Sequence, residues 1–326
     1  MPPTFSIIVP TLRPKLLACT LYSIHRNSVG HDYEVVVVSP FEASGDRVRW
    51  SRERTARGSI AAHIQGVAES RGDIIITMTD DTIALSGWLD TIEQRIADGE
   101  KKWFPFCLSL NRINSPLVGT VFGRYYAYFS IVSRRTVEAL GGMYDPAFKG
   151  NWADPDFGLR IWDRGGRVEF CAEATTMCST LQLYFAEAPH KTVARQDDTE
   201  LFFQRWGHLA GDAFSTRVVD VNRNFPLSVL RNNTVHVEQV KRPKGFVQRA
   251  AQACHWQYLR VISRLWRETE WLRLRNRDSS FLDEWTPEQM YLYEVRRASR
   301  SIIRPFLGYV NRLPAGSVVQ EVPFTQ

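Results

Sequence analysis

Residues Asp73-Ile-Ile-Ile-Thr-Met-Thr-Asp-Asp81 decide the fold. Three Ile in succession read as a short strand buried on both faces, the pattern of a parallel sheet covered by helices on each side. The strand ends abruptly in two adjacent carboxylates, Asp80 and Asp81. In an open α/β sheet, ligands bind beyond the carboxyl ends of the strands. Two acids there suit a hard cation, Mg²⁺ or Mn²⁺, which keeps waters and substrate phosphates in its shell. Asp is also common in plain strand-end turns, so the flanking segments have to decide between a site and a turn.

Upstream, Phe5-Ser-Ile-Ile-Val9 reads as a first strand, closed by Pro10-Thr-Leu-Arg13-Pro14. Leu16, Leu17, Thr20, Leu21 and Ile24 then recur at helical spacing. Glu34-Val-Val-Val-Val38 is a second strand, ending at Ser39-Pro40. A basic, polar loop from Arg47 to Gly58 leads into a helix over Ser59 to Ser70. Strand, helix, strand, helix, strand with short connections predicts right-handed crossovers and a mostly parallel, doubly wound α/β sheet flanked by helices. The sequence has neither a GxGxxG turn nor a GxxxxGK[ST] loop, which weighs against a dinucleotide fold and a P-loop kinase.

Downstream, the pattern predicts a helix from about Leu85 to Ala97, a strand from Lys102 to Leu110, an aromatic strand from Tyr125 to Val132 and a short helix from Arg134 to Leu140. Gly141-Gly142 is a C-cap signal, because glycine enters the left-handed region without steric cost. A second acidic cluster follows in Asn151-Trp-Ala-Asp154-Pro-Asp156-Phe-Gly-Leu-Arg160, at the start of another helix. Acids are favoured at a helix N-terminus. Capping needs only one of the two, and the glycines and aromatics around them read as the wall of a site.

The ordered set Phe5-Ser-Ile-Ile-Val-Pro-Thr11, Glu34-Val-Val-Val-Val38, Gly72-Asp-Ile-Ile-Ile76, Thr79-Asp-Asp81, Gly141-Gly-Met-Tyr-Asp145 and Asp154-Pro-Asp-Phe-Gly-Leu-Arg160 resembles the family 2 glycosyltransferases of GT-A fold. Phe202-Phe-Gln-Arg-Trp-Gly207 resembles a segment near the end of that domain. The resemblance covers roughly residues 4 to 210 and implies a GT-A domain over 1–210, followed by a mainly helical, basic extension over 211–326. It implies a nucleotide-diphosphate sugar donor, a divalent metal, Mn²⁺ or Mg²⁺, at an Asp-x-Asp-like motif, and inverting transfer of a hexosyl type to a hydroxyl of a glycan or lipid-linked glycan. The family's base falls on Asp154. His190 stands where some relatives place a third metal ligand. Ser39-Pro40 replaces the acids with which relatives often meet the nucleobase, Ala153 stands where Glu is frequent, and the metal motif reads Thr-Asp-Asp-Thr.

The chemistry asks for the same parts. A sugar 1-diphosphate leaves with negative charge, which a metal stabilises without moving a proton. Asp81 is the expected direct ligand, with Asp80 orienting the ribose or a metal-bound water. The acceptor hydroxyl needs a carboxylate within hydrogen-bond reach: Asp154 first, Asp156 in reserve. Arg13 and Arg54 are candidates for the phosphate oxygens, and Pro10, Thr11, Ser39 and Asp80 complete the expected donor-binding set.

Over all 326 residues, 44% hydrophobic and 23% charged content is that of a globular chain. No apolar run reaches membrane-span length, and the first residues lack a basic and apolar leader pattern, so a cytoplasmic location is expected. Five cysteines without CxxC spacing fit reduced thiols. Residues 241–312 hold 15 Lys and Arg against 7 Asp and Glu, a net of +8 in a chain of +6. Val247, Ala251, Cys254, Tyr258, Val261, Ile262, Leu265 and Leu272 form a helical apolar stripe there. Such a stretch either packs on the catalytic domain or, through residues 241–277, holds the protein reversibly on the anionic cytoplasmic membrane face. No nucleic-acid-binding module is recognisable. Two other readings stand beside the transferase. One is a nucleotidyltransferase, which would want a glycine and lysine loop after the first strand; the other is a non-catalytic sugar-nucleotide-binding or scaffold protein.

Overall fold

The computed structural model describes residues 4–110, 112, 119–121, 124–171, 176–179, 181, 195–209 and 286–292. Its centre is a seven-stranded sheet in the order β10-β6-β9-β4-β1-β2-β3. The strands are β1 (Phe5–Pro10), β2 (Tyr33–Ser39), β3 (Val48–Arg52), β4 (Ile74–Thr77), β6 (Phe106–Ser109), β9 (Ser130–Ser133) and β10 (Arg167–Phe170). All are parallel except β9, which runs antiparallel to both β4 and β6. Two short antiparallel pairs flank the sheet: β5 (Thr82–Ala84) with β11 (Thr176–Cys178), and β7 (Gly119–Val121) with β8 (Arg124–Tyr126). The expected mostly parallel sheet with helices on both faces is what the chain forms.

Alternation along the central strands builds two cores. Ile7, Val9, Val35, Val37, Ile74 and Ile76 face one side, where α1 (Pro14–Asn27) and α3 (Trp88–Lys102) supply Leu17, Ile24, Trp88, Leu89 and Ile92. Ile8, Val36, Val38 and Ile75 face the other, against Ile60 and Val67 of α2 (Ser59–Glu69), Phe157 and Leu159 of α5 (Ala153–Asp163) and Phe202 of α6 (Arg195–Trp206). Each such side chain contributes about 2 kcal/mol by leaving water, which is why β1, β2 and β4 are almost unbroken apolar runs. Gly66 lets α2 lie directly on β1, since a Cβ there would come within 2.4 Å of Ile8 Cγ2.

Four local expectations need correcting. The Arg47–Gly58 loop contains β3, an edge strand whose outer positions carry Arg and therefore hide its period. Thr82–Ala84 forms β5, so α3 begins at Trp88 rather than Leu85. The strand expected from Lys102 is confined to Phe106–Ser109, because α3 runs on through Lys102. The aromatic run from Tyr125 is two strands: β8 ends at Tyr126, and β9 starts at Ser130 in the opposite sense to its neighbours. The other elements fall as read. α4 (Arg134–Ala139) closes on Gly141 and Gly142, both at positive φ, whose N–H groups bond Glu138 O and Val137 O. Near the C-terminus, the Thr286–Gln289 capping box forms reciprocally: Thr286 N donates to Gln289 Oε1 at 2.8 Å, and Gln289 N to Thr286 Oγ1 at 3.3 Å. Tyr291, in the helical turn that follows, packs its ring on Tyr22 of α1 and accepts from Asn27 Nδ2. The apolar stripe of residues 247–272 lies outside the described residues.

Candidate active site

The carboxyl edge of the sheet gathers both acidic clusters, and the two arrive by different routes. Asp80 and Asp81 follow β4 directly. Asp154 comes in on the first turn of α5 and reaches the same edge through Tyr144. The Tyr144 hydroxyl is within hydrogen-bond reach of Asp154 and also of Thr77, the last residue of β4, and Ser130, the first of β9. Because β9 is antiparallel, its start lies beside the end of β4: Ser130 N donates to Thr77 Oγ1 at 2.8 Å. Gly158 lets α5 settle there, since a Cβ at that position would stand 2.6 Å from Tyr126 Cβ.

The four acids have distinct surroundings. Asp80 is buried and held bidentately by Arg13, whose Nε donates to Oδ2 at 3.0 Å while Nη2 pairs with Oδ1; Thr11 Oγ1 adds a bond to Oδ2 at 2.6 Å. Burial pushes the Asp80 carboxyl up, and Arg13 and Thr11 work against it. Burial likewise opposes the charge of Arg13, but Asp80 outweighs it and the guanidinium pKa is raised. Asp81 accepts from Thr79 Oγ1 on Oδ1, with Arg112 Nη1 3.6 Å away; Cys178 Sγ approaches Oδ2 at 3.8 Å. Asp156 is fully buried and bonded to Arg160 Nε at 3.0 Å, Arg205 Nη1 at 2.7 Å and Trp206 Nε1 at 2.9 Å. Asp154 is partly exposed, and no Lys or Arg pairs with it among the described residues. Burial pushes its carboxyl up to about 7, tempered by the Tyr144 hydroxyl.

These environments revise the residue assignments. Asp156 ties α5 to α6 through two guanidiniums and an indole, so it is a structural acid rather than a reserve base. Both oxygens of Asp80 are bonded by Arg13, which ties the two side chains together. Ser39 is wholly buried; its hydroxyl bonds Phe41 O and its carbonyl accepts from Glu53 N and Trp50 Nε1, so it presents nothing to a donor. Pro10 ends β1, Thr11 is spent on Asp80, and Arg54 stands exposed beyond β3. His190 lies outside the described residues. Sequence reading gave no role to Tyr144, Arg112, Thr79 or Cys178. Tyr144, inside Gly141-Gly-Met-Tyr-Asp145, and Thr79, inside Thr79-Asp-Asp81, are the two with a nearby signal.

Among the described residues, no three His, Cys, Asp or Glu side chains converge to form a metal cage. A divalent ion shared with donor phosphates needs only one or two protein carboxylates. Asp81 meets that need, because among the described residues its Oδ2 takes a hydrogen bond from a thiol, a weak donor.

The class defined here is an α/β protein with an acid-lined edge at the carboxyl ends of its central strands. No protein-family model matches the chain, and no curated protein matches it. Among solved structures, S. aureus TarS 1–349 in complex with UDP-GlcNAc aligns at TM-score 0.46 and 13% identity, over 71% of this chain and 72% of that one. S. aureus TarS 1–349 aligns at TM-score 0.42 and 13% identity, over 65% and 74%. A further S. aureus TarS structure aligns at 0.43 and 14% identity, over 62% of this chain and 43% of that one. Likeness at this level says nothing about activity.

Proposed function

We propose that this protein is an inverting glycosyltransferase that moves a hexosyl group from a nucleotide-diphosphate sugar to a hydroxyl of a glycan or lipid-linked glycan. The observation that carries this reading is Asp154. It is the acid of the edge without a cationic partner among the described residues, and its carboxyl titrates near neutrality. A general base works best with a pKa near the working pH. The Tyr144 hydroxyl hydrogen-bonds to it and so helps to orient the carboxylate. An inverting displacement needs one base on the face opposite the leaving group, and Asp154 takes the acceptor proton as the oxygen attacks the anomeric carbon. Asp80 keeps Arg13 charged and fixed at the leaving-group end of the edge. Asp81 is the residue that would hold a divalent ion, which when bound supplies charge stabilisation to the departing diphosphate. The sequence resemblance over residues 4–210 supports the same division of labour.

The deciding experiment offers wild type and Asp154→Asn a panel of UDP- and GDP-sugars with and without Mn²⁺, reading sugar release and transfer. Turnover of at least one donor by wild type, cut about 10²-fold or more in the variant with donor affinity kept, is the expected result. A wild type that binds a donor and never turns it over would leave the non-catalytic binding reading in its place.

A further inference from the structure

Arg112 is nine-tenths buried, yet it is poorly satisfied for so costly a group. Its guanidinium lies 4.6 Å over the Phe129 ring, its Nε has no hydrogen-bond partner among the described residues, and its contact with Asp81 is 3.6 Å, too long for a hydrogen bond. On the neighbouring acid, by contrast, Arg13 makes two hydrogen bonds to Asp80. The difference matters because burying a guanidinium costs several kcal/mol unless its donors are met. Arg112 is placed by backbone: Leu110 N bonds Phe129 O, and Arg112 forms a β-bridge with Thr176 of β11, the strand that also carries Cys178 beside Asp81. A desolvated, planar, under-bonded guanidinium at this edge is suited to a phosphate oxygen pair.

We infer that Arg112 is a diphosphate-binding residue of the donor site, held on Asp81 until a divalent ion takes that carboxylate. The inference rests on the transferase reading above. Asp81 serves two cations in turn, and the two compete. A divalent ion held by Asp81 would offset the attraction that holds Arg112 there and leave its donors free for phosphate oxygens. Metal binding alone is therefore weakened by Arg112, and nucleotide binding after the metal is strengthened by it. Coupling of this kind is reciprocal in free energy. The other charged side chains at the spot are Arg13 and Asp80, which neutralise each other; the neutral Cys178 thiol lies beside Asp81.

Arg112→Gln separates this from a structural role because the two affinities move in opposite directions. Mn²⁺ alone, titrated by electron paramagnetic resonance, is expected to bind the variant about tenfold tighter than wild type, the effect of removing one competing charge contact. UDP or GDP with saturating Mn²⁺, titrated by calorimetry, is expected to bind about tenfold weaker, the loss of a charge-assisted bond. Arg112→Lys keeps the charge and loses the fork, so it should bind Mn²⁺ as wild type does and nucleotide more weakly; it carries the test if the Gln variant does not fold. Parallel weakening of both ligands, or no change in either, overturns the inference while leaving the transferase reading standing. A wild type that binds neither Mn²⁺ nor any nucleoside diphosphate ends both.

Discussion

Tyr144 and Asp154 share a hydrogen bond across the gap between the Gly141-Gly142 turn and the first turn of α5, and each shifts the other's affinity for protons. Burial raises the phenol well above its ordinary range, and the nearby carboxylate raises it further. Burial also raises the carboxyl, and the phenol pulls it part of the way back. His63 and Phe157 make edge contacts with the ring at 6.0 Å, and the buried Cys107 thiol also senses the charge of Asp154. Activity should therefore rise with pH through about 7 as Asp154 ionises. Tyr144→Phe removes the bond that favours ionisation, so the acid limb of the kcat/KM profile is expected to move to higher pH, with donor affinity unchanged. An unmoved limb would detach Tyr144 from the base.

The same carboxyl makes a statement about stability. Its folded pKa of about 7 lies above the ordinary value of 3.8, so between those values the folded state binds more protons than the unfolded one. Stability is then lost as pH rises through the window. Asp154→Asn is expected to raise Tm relative to wild type at pH 8 and to leave it nearly unchanged at pH 4. Equal differences at both pH values would show that Asp154 is not a desolvated acid in the folded protein.

Asp156 gives the opposite result two residues away. Asp156→Ala leaves Arg205 and Arg160 short of their shared carboxylate and frees the Trp206 indole. Breaking a buried pair from one side costs about 3 kcal/mol or more. Denaturant midpoints should fall accordingly, while the acid limb of the activity profile of the folded fraction stays where it was.

Arg13→Ala leaves the Asp80 carboxylate, 4% exposed, without its bidentate partner. A loss of about 2–3 kcal/mol is expected, discounted for the partial exposure of Arg13. The double variant Arg13→Ala with Asp80→Asn should recover part of it, because the unpaired buried charge is gone. Strict additivity in chemical denaturation would mean that the pair is not coupled.

The basic stretch 241–277 carries a prediction from sequence alone: reversible attachment to an anionic membrane surface. Each engaged basic residue is worth about 1 kcal/mol there, screened within a Debye length. The protein should sediment with anionic vesicles at low salt, less so at high salt, and not with neutral ones. Replacing Arg264, Arg267, Arg273 and Arg275 by Ser should abolish the binding. Failure to sediment with anionic vesicles at low salt would leave the stretch as packing.

How much of this was legible in the sequence follows the range of the forces involved. β1, β2 and β4 announce themselves because strands covered on both faces need apolar side chains at every position. The Gly141-Gly142 turn is visible because its bonds close within a few residues. β3 was hidden by the arginines of an edge strand, and the reversed sense of β9 depends on neighbours far off in the chain. Within the site, the acidic clusters were visible as types and not as roles. Asp154 and Asp156 look alike until α6 brings Arg205 and Trp206 to one of them. Arg13 reads as a phosphate ligand until the pairing of β1 with β4 sets it against Asp80.

The reversed strand also sets the order in which this protein can be made. β4 pairs with β1 on one side as soon as residue 77 has left the ribosome, but its other side waits for β9 at residues 130–133. At roughly 5–20 residues per second, the interval lasts several seconds. Throughout it Ile74, Ile75 and Ile76 form an open, apolar strand edge, the kind that recruits other chains. The nascent chain is thus most vulnerable to misassociation midway through synthesis of its central sheet, and a chaperone that shields the β4 edge during that interval has the most to protect.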